Sequence, residues 1–252
     1  PESHKAKAGT PTMGGVLILL AVTVSTLLWG RLDNFYMWLC LLVTLGCGAI
    51  GFIDDHRKAV QKRNEGGLSG RAKLAMLGSL SLAAAVALYL HPGYSTQLSL
   101  PFIKYVVPDL GWGYVVLAVF ILVGTANAVN LTDGLDGLAA GPVLIAAATF
   151  LVLSYVSGNI KAATYLQIQY VPGVGEVSVF LGAVVGAVMG FLWYNTYPAQ
   201  VFMGDTGSLS LGGALGAVAL CTKHEILLAL VGGIFVVEAI SVILQVSFFQ
   251  AT

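Results

Sequence analysis

Charge is what this sequence has least of. Of 252 residues, 12 are Lys or Arg and 12 are Asp or Glu, together 10% of the chain, whereas a soluble domain carries about 25%. The formal net charge is zero, so charge balance offers no case for binding nucleic acid. Cysteine is scarce as well. Cys40, Cys47 and Cys221 stand in apolar stretches without a CxxC pair or Cys/His metal spacing, and they read as reduced, buried thiols. No Met, basic leader or cleavage signal opens the chain at Pro1, so it reads as part of a longer polypeptide. What fills the sequence is hydrophobic: 57% of residues, with a mean hydropathy of +0.86. That composition belongs in a bilayer.

Windows long enough to span a membrane recur at about 13–29, 36–53, 74–90, 112–126, 137–157, 177–194, 208–222 and 226–249. The expectation is an all-α, polytopic integral membrane protein with eight transmembrane helices in this chain. Gly-rich runs such as Gly182–Gly190, with Gly212, Gly213 and Gly216, suggest close helix packing. No internal repeat is visible, which weakens a transporter built from duplicated halves. Eight spans sort the connections onto two faces. One face receives Lys5, Lys7, Arg57, Lys58, Lys62, Arg63, Arg71 and Lys73; the other receives Arg31, Lys104, Lys161 and Lys223. The positive-inside rule makes the first face cytoplasmic. On the second, the alternating Leu166–Val171 stretch can pair as a short external hairpin within 158–176.

The acids gather on the basic face. Asp54 and Asp55 close the second span, Asp133 and Asp136 flank the start of the fifth, and Asp205 precedes the seventh. A single acid there reads equally well as a solvated helix end or, at Asp133, an N-terminal cap. Five acids from three segments on one face read as a site. Crowded carboxylates repel unless a cation neutralises them. With only His56 and no cysteine in the same loops, that cation is a hard one, Mg²⁺ or alternatively Mn²⁺. Mg²⁺ leaves coordination positions for substrate phosphates, and Lys58 and Lys73 offer point charges to the same phosphates. Asn130–Gly137 and Gly204–Ser208 are small-residue turns leading into helices, where backbone can approach a ligand closely.

Four motifs go further: Thr10-Pro11-Thr12-Met13-Gly14-Gly15, Gly51-Phe52-Ile53-Asp54-Asp55-His56-Arg57-Lys58, the run from Asn127 to Ala139, and the run from Asn195 to Asp205. The sequence resembles, end to end, the phospho-N-acetylmuramoyl-pentapeptide transferase family of the polyprenyl-phosphate N-acetylhexosamine-1-phosphate transferase superfamily. The resemblance implies transfer of phospho-MurNAc-pentapeptide from UDP-MurNAc-pentapeptide to undecaprenyl phosphate, giving lipid I and UMP, in the bacterial cytoplasmic (inner) membrane with the active site on its cytoplasmic face. It implies Asp205 as the main Mg²⁺ ligand with Asp54 and Asp55 as further candidates, and Asp54 as base or nucleophile. Asp133 and Asp136 complete the acidic site. Asn127, Asn130 and Asn195 fall in the same motifs as polar substrate-side residues. Lys58 and Lys73 would hold phosphates, Lys7 and Thr12 would contact substrate, and Gly134, Leu135, Asp136 and Phe202 would line a uridine pocket. A homodimer and a target for nucleoside antibiotics are also implied. The family has ten spans and a histidine-rich loop before the tenth. Residues 1–252 are therefore expected to form one membrane-embedded transferase domain lacking the first and last spans and that loop.

Two rival readings remain at this point. A superfamily transferase using UDP-GlcNAc would share the Asp54, Asp55 and Asp205 chemistry, although Pro11–Gly15 and Asn130–Asp133 favour the muramoyl-pentapeptide donor. An ion-coupled transporter predicts acids near the bilayer midplane, where the sequence places only Glu238.

Overall fold

A computed structural model describes residues 10–61, 66–101, 103 and 107–251. The described chain forms ten α-helices: α1 (Gly15–Trp29), α2 (Phe35–Gln61), α3 (Gly70–Leu90), α4 (Gly113–Thr132), α5 (Ala140–Ser157), α6 (Ile160–Leu166), α7 (Val177–Asn195), α8 (Gly204–Thr222), α9 (Glu225–Val231) and α10 (Gly233–Ala251). A 3₁₀ turn at Val174–Glu176 leads into α7.

Five of these segments are long and apolar enough to cross a membrane: Phe35–Val60, Gly70–Leu90, Gly113–Thr132, Ala140–Ser157 and Val174–Asn195. The pair α9 and α10, bent by 82° at Gly232, makes a sixth if counted as one span. The protein is thus a multi-pass, all-helical membrane protein. The two expected spans outside this set have identifiable reasons. Helix α1 has only 15 residues, although Leu17, Leu20 and Leu28 on it are exposed. Helix α8 is enclosed by protein, so it needs no apolar outer surface.

Helix α8 is the hub. Every residue from Thr206 to Thr222 is buried, and α8 packs against α1, α2, α4, α5 and α9. Beyond Thr206 its hydroxyls are satisfied within the helix: Ser208 Oγ donates to Gly204 O (2.9 Å), Ser210 Oγ to Gly207 O (2.7 Å) and Thr222 Oγ1 to Val218 O (2.8 Å). Glycine lets its neighbours come this close. A Cβ on Gly15 would lie 2.1 Å from Gly207 N, so α1 and α8 meet backbone to backbone.

Several helices outrun the expected spans. Helix α2 continues past residue 53 to Gln61, α4 continues past 126 to Thr132, and α3 begins at Gly70 with Ser69 Oγ accepting from Ala72 N. Asp54, Asp55, Lys58, Lys73, Asn127 and Asn130 are therefore helical, not loop, residues. Hydropathy windows mark where a chain stops being apolar, not where its hydrogen-bonded spiral stops.

The expected hairpin within 158–176 is not formed. Asn159 Oδ1 accepts from Lys161 N (3.0 Å) and Ala162 N (3.2 Å), starting α6, and Gln167 ends it in a left-handed conformation (φ 55°). An Asx cap ahead of Ile160-Lys161-Ala162-Ala163 outweighs the two-residue alternation that follows. Among the described residues the strand-like pairing lies instead at Gln97 and Asp109, with Leu98 N donating to Pro108 O (2.9 Å).

These contacts separate two glycines by consequence. Gly15→Ala should lower the thermal unfolding temperature in detergent, an overpacking loss of about 1–3 kcal/mol. Gly78→Ala, with nothing within 4 Å of its added Cβ, should raise stability by about 0.5–1 kcal/mol. Equal shifts for the two would contradict the backbone-to-backbone packing.

Candidate active site

Four helix ends build a polar cluster. The last turns of α2 carry Asp54, Asp55 and Lys58; the first turn of α3 carries Lys73; the last turns of α4 carry Asn130; and α8 begins with Asp205, Thr206 and Ser208. Asp54 and Lys58, four residues apart, share one face of α2 and pair at 2.7 Å. Asp54, only 2% exposed, also accepts from Leu68 N at 2.5 Å. A Cβ on Gly67 would stand 2.5 Å from its Oδ1, so a glycine is needed beside it.

Asp205 is the second carboxylate. Its Oδ2 meets Lys73 Nζ at 2.5 Å and Lys58 Nζ at 3.1 Å, and its Oδ1 accepts from Asn130 Nδ2 at 3.0 Å. Lys73 also reaches Asp54 Oδ2 at 3.5 Å. Two lysines thus bridge two carboxylates, leaving this group of four formally neutral. Asn130 Nδ2 donates further to Ser208 Oγ (2.8 Å), one helical turn beyond Asp205.

Asp55 has a different task. Its Oδ1 accepts from Asp205 N (3.1 Å), and its Oδ2 accepts from Thr206 N (2.9 Å) and Thr206 Oγ1 (2.7 Å). From a neighbouring helix it therefore caps the amino end of α8, where backbone N–H groups lack intrahelical partners. Close approach allows this. A Cβ on Gly51 would lie 2.3 Å from Asp205 O, and Gly204, at φ 74°, would place one 2.7 Å from Asp55 Oδ2.

A second ring surrounds this centre. Asn195, 2% exposed, donates to Val201 O (2.9 Å) and accepts from Gly137 N (3.0 Å), tying the turn after α4 to the segment after α7. Asp136 Oδ2 accepts from Ala199 N (3.1 Å) in the same seam. The Thr10–Gly15 segment lies along it: Phe202 N donates to Pro11 O, Gly14 N to Phe202 O and Gly15 N to Met203 O, each at 2.9 Å. Thr12 and Gly134 are exposed here, and Leu135 is 68% exposed. Asn127 instead donates to Val123 O (2.8 Å) on its own helix, outside the cluster's hydrogen bonds. Lys7 lies outside the described residues.

Asp133 sits at the C-terminal cap of α4 rather than at the start of a helix. Burial first, then the charges of Asp205 and Asp55, push its carboxyl up to about 7. Asp54, Asp55 and Asp205 can bring one oxygen each within 4.8 Å of one another. That all-oxygen set suits a hard cation, and this buried acidic cluster could hold one. All three carboxylates are already engaged, Asp55 at the start of α8 and Asp54 and Asp205 with the two lysines. Sequence reading missed Thr206, Ser208 and the Leu68 N–H. Ser208 carried a signal, being three residues after Asp205 on one helix; Leu68 N carried none.

Acids and lysines thus gather at the helix ends of a polytopic membrane bundle. A family model described as glycosyl transferase family 4 matches residues 37–223. The phospho-N-acetylmuramoyl-pentapeptide-transferase signature 1 matches residues 7–19. Relatives named phospho-N-acetylmuramoyl-pentapeptide-transferase include one from Syntrophus aciditrophicus, 61% identical over 99% of this chain and 69% of that protein. Others are from Desulfotalea psychrophila (58%, over 99% and 69%) and Citrifermentans bemidjiense (58%, over 99% and 70%). The chain belongs to the phospho-N-acetylmuramoyl-pentapeptide transferase family.

Two measurements check this geometry. Asp55→Asn should cost about 0.5–2 kcal/mol of stability, the range for a lost cap. Asp133 gives a pH signature. Its raised value means that the folded protein holds a proton that the unfolded chain releases near the ordinary 3.8. Its contribution is therefore full below about 3.8 and is lost as pH rises through about 7. Asp133→Asn should remove that decline from a thermal-unfolding profile across the window. An unchanged profile would refute the assignment.

Proposed function

We propose that this protein transfers phospho-MurNAc-pentapeptide from UDP-MurNAc-pentapeptide to undecaprenyl phosphate, releasing UMP and forming lipid I. The observation that carries this reading is the pairing of Lys58 and Lys73 with Asp54 and Asp205 at the helix ends. Such a cluster offers cations to phosphate oxygens and oxygen ligands to a metal. Family membership supplies the donor and acceptor.

In the reaction, an oxygen of the lipid phosphate forms a bond to the sugar-bearing phosphorus of the nucleotide. The bond from that phosphorus to the bridging oxygen breaks, and the electron pair leaves with UMP. Lys58 and Lys73 hold phosphate oxygens as point charges. Asp54 and Asp205 would hold Mg²⁺, or alternatively Mn²⁺; when bound, the metal neutralises charge on the pyrophosphate. Asp55 keeps Asp205 in place through the start of α8. A phosphate monoester has a second pKa near 6, so removing its proton at neutral pH supplies only a modest part of the acceleration. Positioning and charge neutralisation dominate, and Asp54 organises metal or proton rather than attacking. A covalent sugar-phosphate adduct trapped on Asp54 would overturn direct attack.

The reading extends to the surroundings. Gly134, Leu135, Asp136 and Phe202 border the uridine, with Thr12, Asn127 and Lys7 on the substrate side. Residues 1–252 act as one membrane-embedded transferase unit. The eight helical segments α1, α2, α3, α4, α5, α7, α8 and the α9–α10 pair act as eight passes of the inner membrane. With eight passes the acidic cluster would lie on the cytoplasmic face, a reading supported by the excess of Lys and Arg there. A homodimer and sensitivity to nucleoside antibiotics belong to the same proposal.

UMP release, followed with the intact protein, undecaprenyl phosphate and either UDP-MurNAc-pentapeptide or UDP-GlcNAc, tests it. Turnover should require Mg²⁺ and favour the muramoyl donor; preference for UDP-GlcNAc would reassign the substrate. Asp205→Asn should lower kcat by roughly 10²-fold or more while the protein stays folded.

A further inference from the structure

Ser208 and Ser210 stand two residues apart on α8, both fully buried. Each donates its hydroxyl to a backbone carbonyl of the preceding turn, Ser208 Oγ to Gly204 O at 2.9 Å and Ser210 Oγ to Gly207 O at 2.7 Å. A hydroxyl has one proton to give but can also accept. Among the described residues Ser210 accepts from no side chain, whereas Ser208 Oγ accepts from Asn130 Nδ2 of α4 at 2.8 Å.

A glycine seam sets this reach. Asn130 and Ser208 open a line of contacts in which α4 steps back four residues as α8 steps forward four. A Cβ on Gly212 would lie 2.5 Å from Thr125 O and 2.7 Å from Ala126 Cα, and one on Gly216 would lie 3.4 Å from Leu122 Cα. With backbones this close, a side chain as short as serine meets the asparagine directly.

The donors and acceptors fit together in one way only. Gly204 O only accepts, so it takes the Ser208 proton, and Ser208 Oγ is left needing an N–H. Asn130 therefore turns its amide nitrogen toward α8, and the second N–H of that nitrogen goes to Asp205 Oδ1 at 3.0 Å. Reversing the amide would set oxygen against oxygen at both contacts. The chain of bonds runs from Gly204 through Ser208 and Asn130 to Asp205, and so closes on two adjacent residues.

We propose that Ser208 is a positioning residue for the reaction: by fixing the amide of Asn130 it fixes the carboxylate of Asp205. Oδ1 of Asp205 is tied to Asn130 while Oδ2 rests on the two lysines, so a cation entering the cluster meets a carboxylate already oriented. Without the Ser208 oxygen, one amide N–H loses its acceptor and the amide is free to turn about its last side-chain bond. The effect of Ser208 on turnover rests on the proposed transfer; its effect on metal binding does not.

Mn²⁺ binding to the intact protein, followed by electron paramagnetic resonance, is measured beside UMP release. The proteins compared are the wild type, Ser208→Ala, Ser210→Ala, Asn130→Ala and the Ser208→Ala, Asn130→Ala double variant. Ser208→Ala should weaken Mn²⁺ binding and lower kcat by roughly 10–100-fold, the range for partners that orient a metal ligand. Ser210→Ala, which also deletes a buried hydroxyl from α8, should leave both as in the wild type. The double variant should lose no more than Asn130→Ala alone, because both substitutions break one chain of bonds. Equal losses in the two serine variants, additive losses in the double variant, or no Mn²⁺ bound by the wild type would each overturn the proposal. The comparison of the single serine variants stands even if the double variant misfolds. Mn²⁺ binding that depends on Ser208, without turnover of either UDP-sugar, would overturn the proposed transfer and leave the role of Ser208 intact.

Discussion

The amino end of α8 presents backbone N–H groups with no partner inside the helix, and in this protein a carboxylate from another helix answers them. Asp55 takes two backbone N–H groups and the Thr206 hydroxyl. It can do so because Gly51 and Gly204 let α2 and α8 approach to near backbone contact. Asp54 is the next residue on α2, and Asp205 is one of the two residues whose N–H groups are capped. The same short stretch of contact therefore fixes both carboxylates of the cluster. Moving α8 by an ångström would separate the lysines from their partners.

Taking charged side chains out of water is expensive unless each is paired, and here Asp54 is buried while Asp205, Lys58 and Lys73 are partly so. Here every one of the four meets two opposite charges, and Asn130 and the Leu68 N–H take further carboxylate oxygens. Such a cluster is weak evidence for stability, because an apolar replacement can do as well. Its retention points to chemistry. The rest of α8 follows the opposite rule, with small residues and self-satisfied hydroxyls all the way to Thr222.

Most of the cluster was legible because acids are rare in an apolar chain, so Asp54, Asp55, Asp133, Asp136 and Asp205 stood out without any knowledge of the fold. The division of labour among them was not. That Asp55 caps a helix while Asp54 faces lysines depends on the 100° turn between adjacent helical residues, and the sequence had placed both at a helix end leading into a loop. Asn127 was grouped with Asn130 by motif, yet its amide donates to Val123 O, one turn back on its own helix. Helix α8 was read as a span like the others. Its low hydropathy is the mark of a helix surrounded by protein, a property of its neighbours that local composition cannot report. The Leu166–Val171 alternation misled because two or three alternating residues weigh less than one Asn cap.

The lysine bridges bear on the order of events in the proposed reaction. Lys58 and Lys73 rest on Oδ2 of Asp54 and of Asp205, the two carboxylates that would hold a metal. A cation arriving there competes with the ammonium groups, and an incoming pyrophosphate competes for those ammonium groups with the carboxylates. Each substrate component thus weakens the contact that resists the other. Metal alone would leave two partly buried lysines without their carboxylates, and nucleotide alone would leave buried Asp54 and partly buried Asp205 without their lysines, each an unfavourable state. Bound together, they exchange partners without leaving a charge unpaired. In the proposed reaction the cluster would therefore favour the metal–nucleotide complex over either component, and linkage would then have each raise the affinity of the other by the same factor.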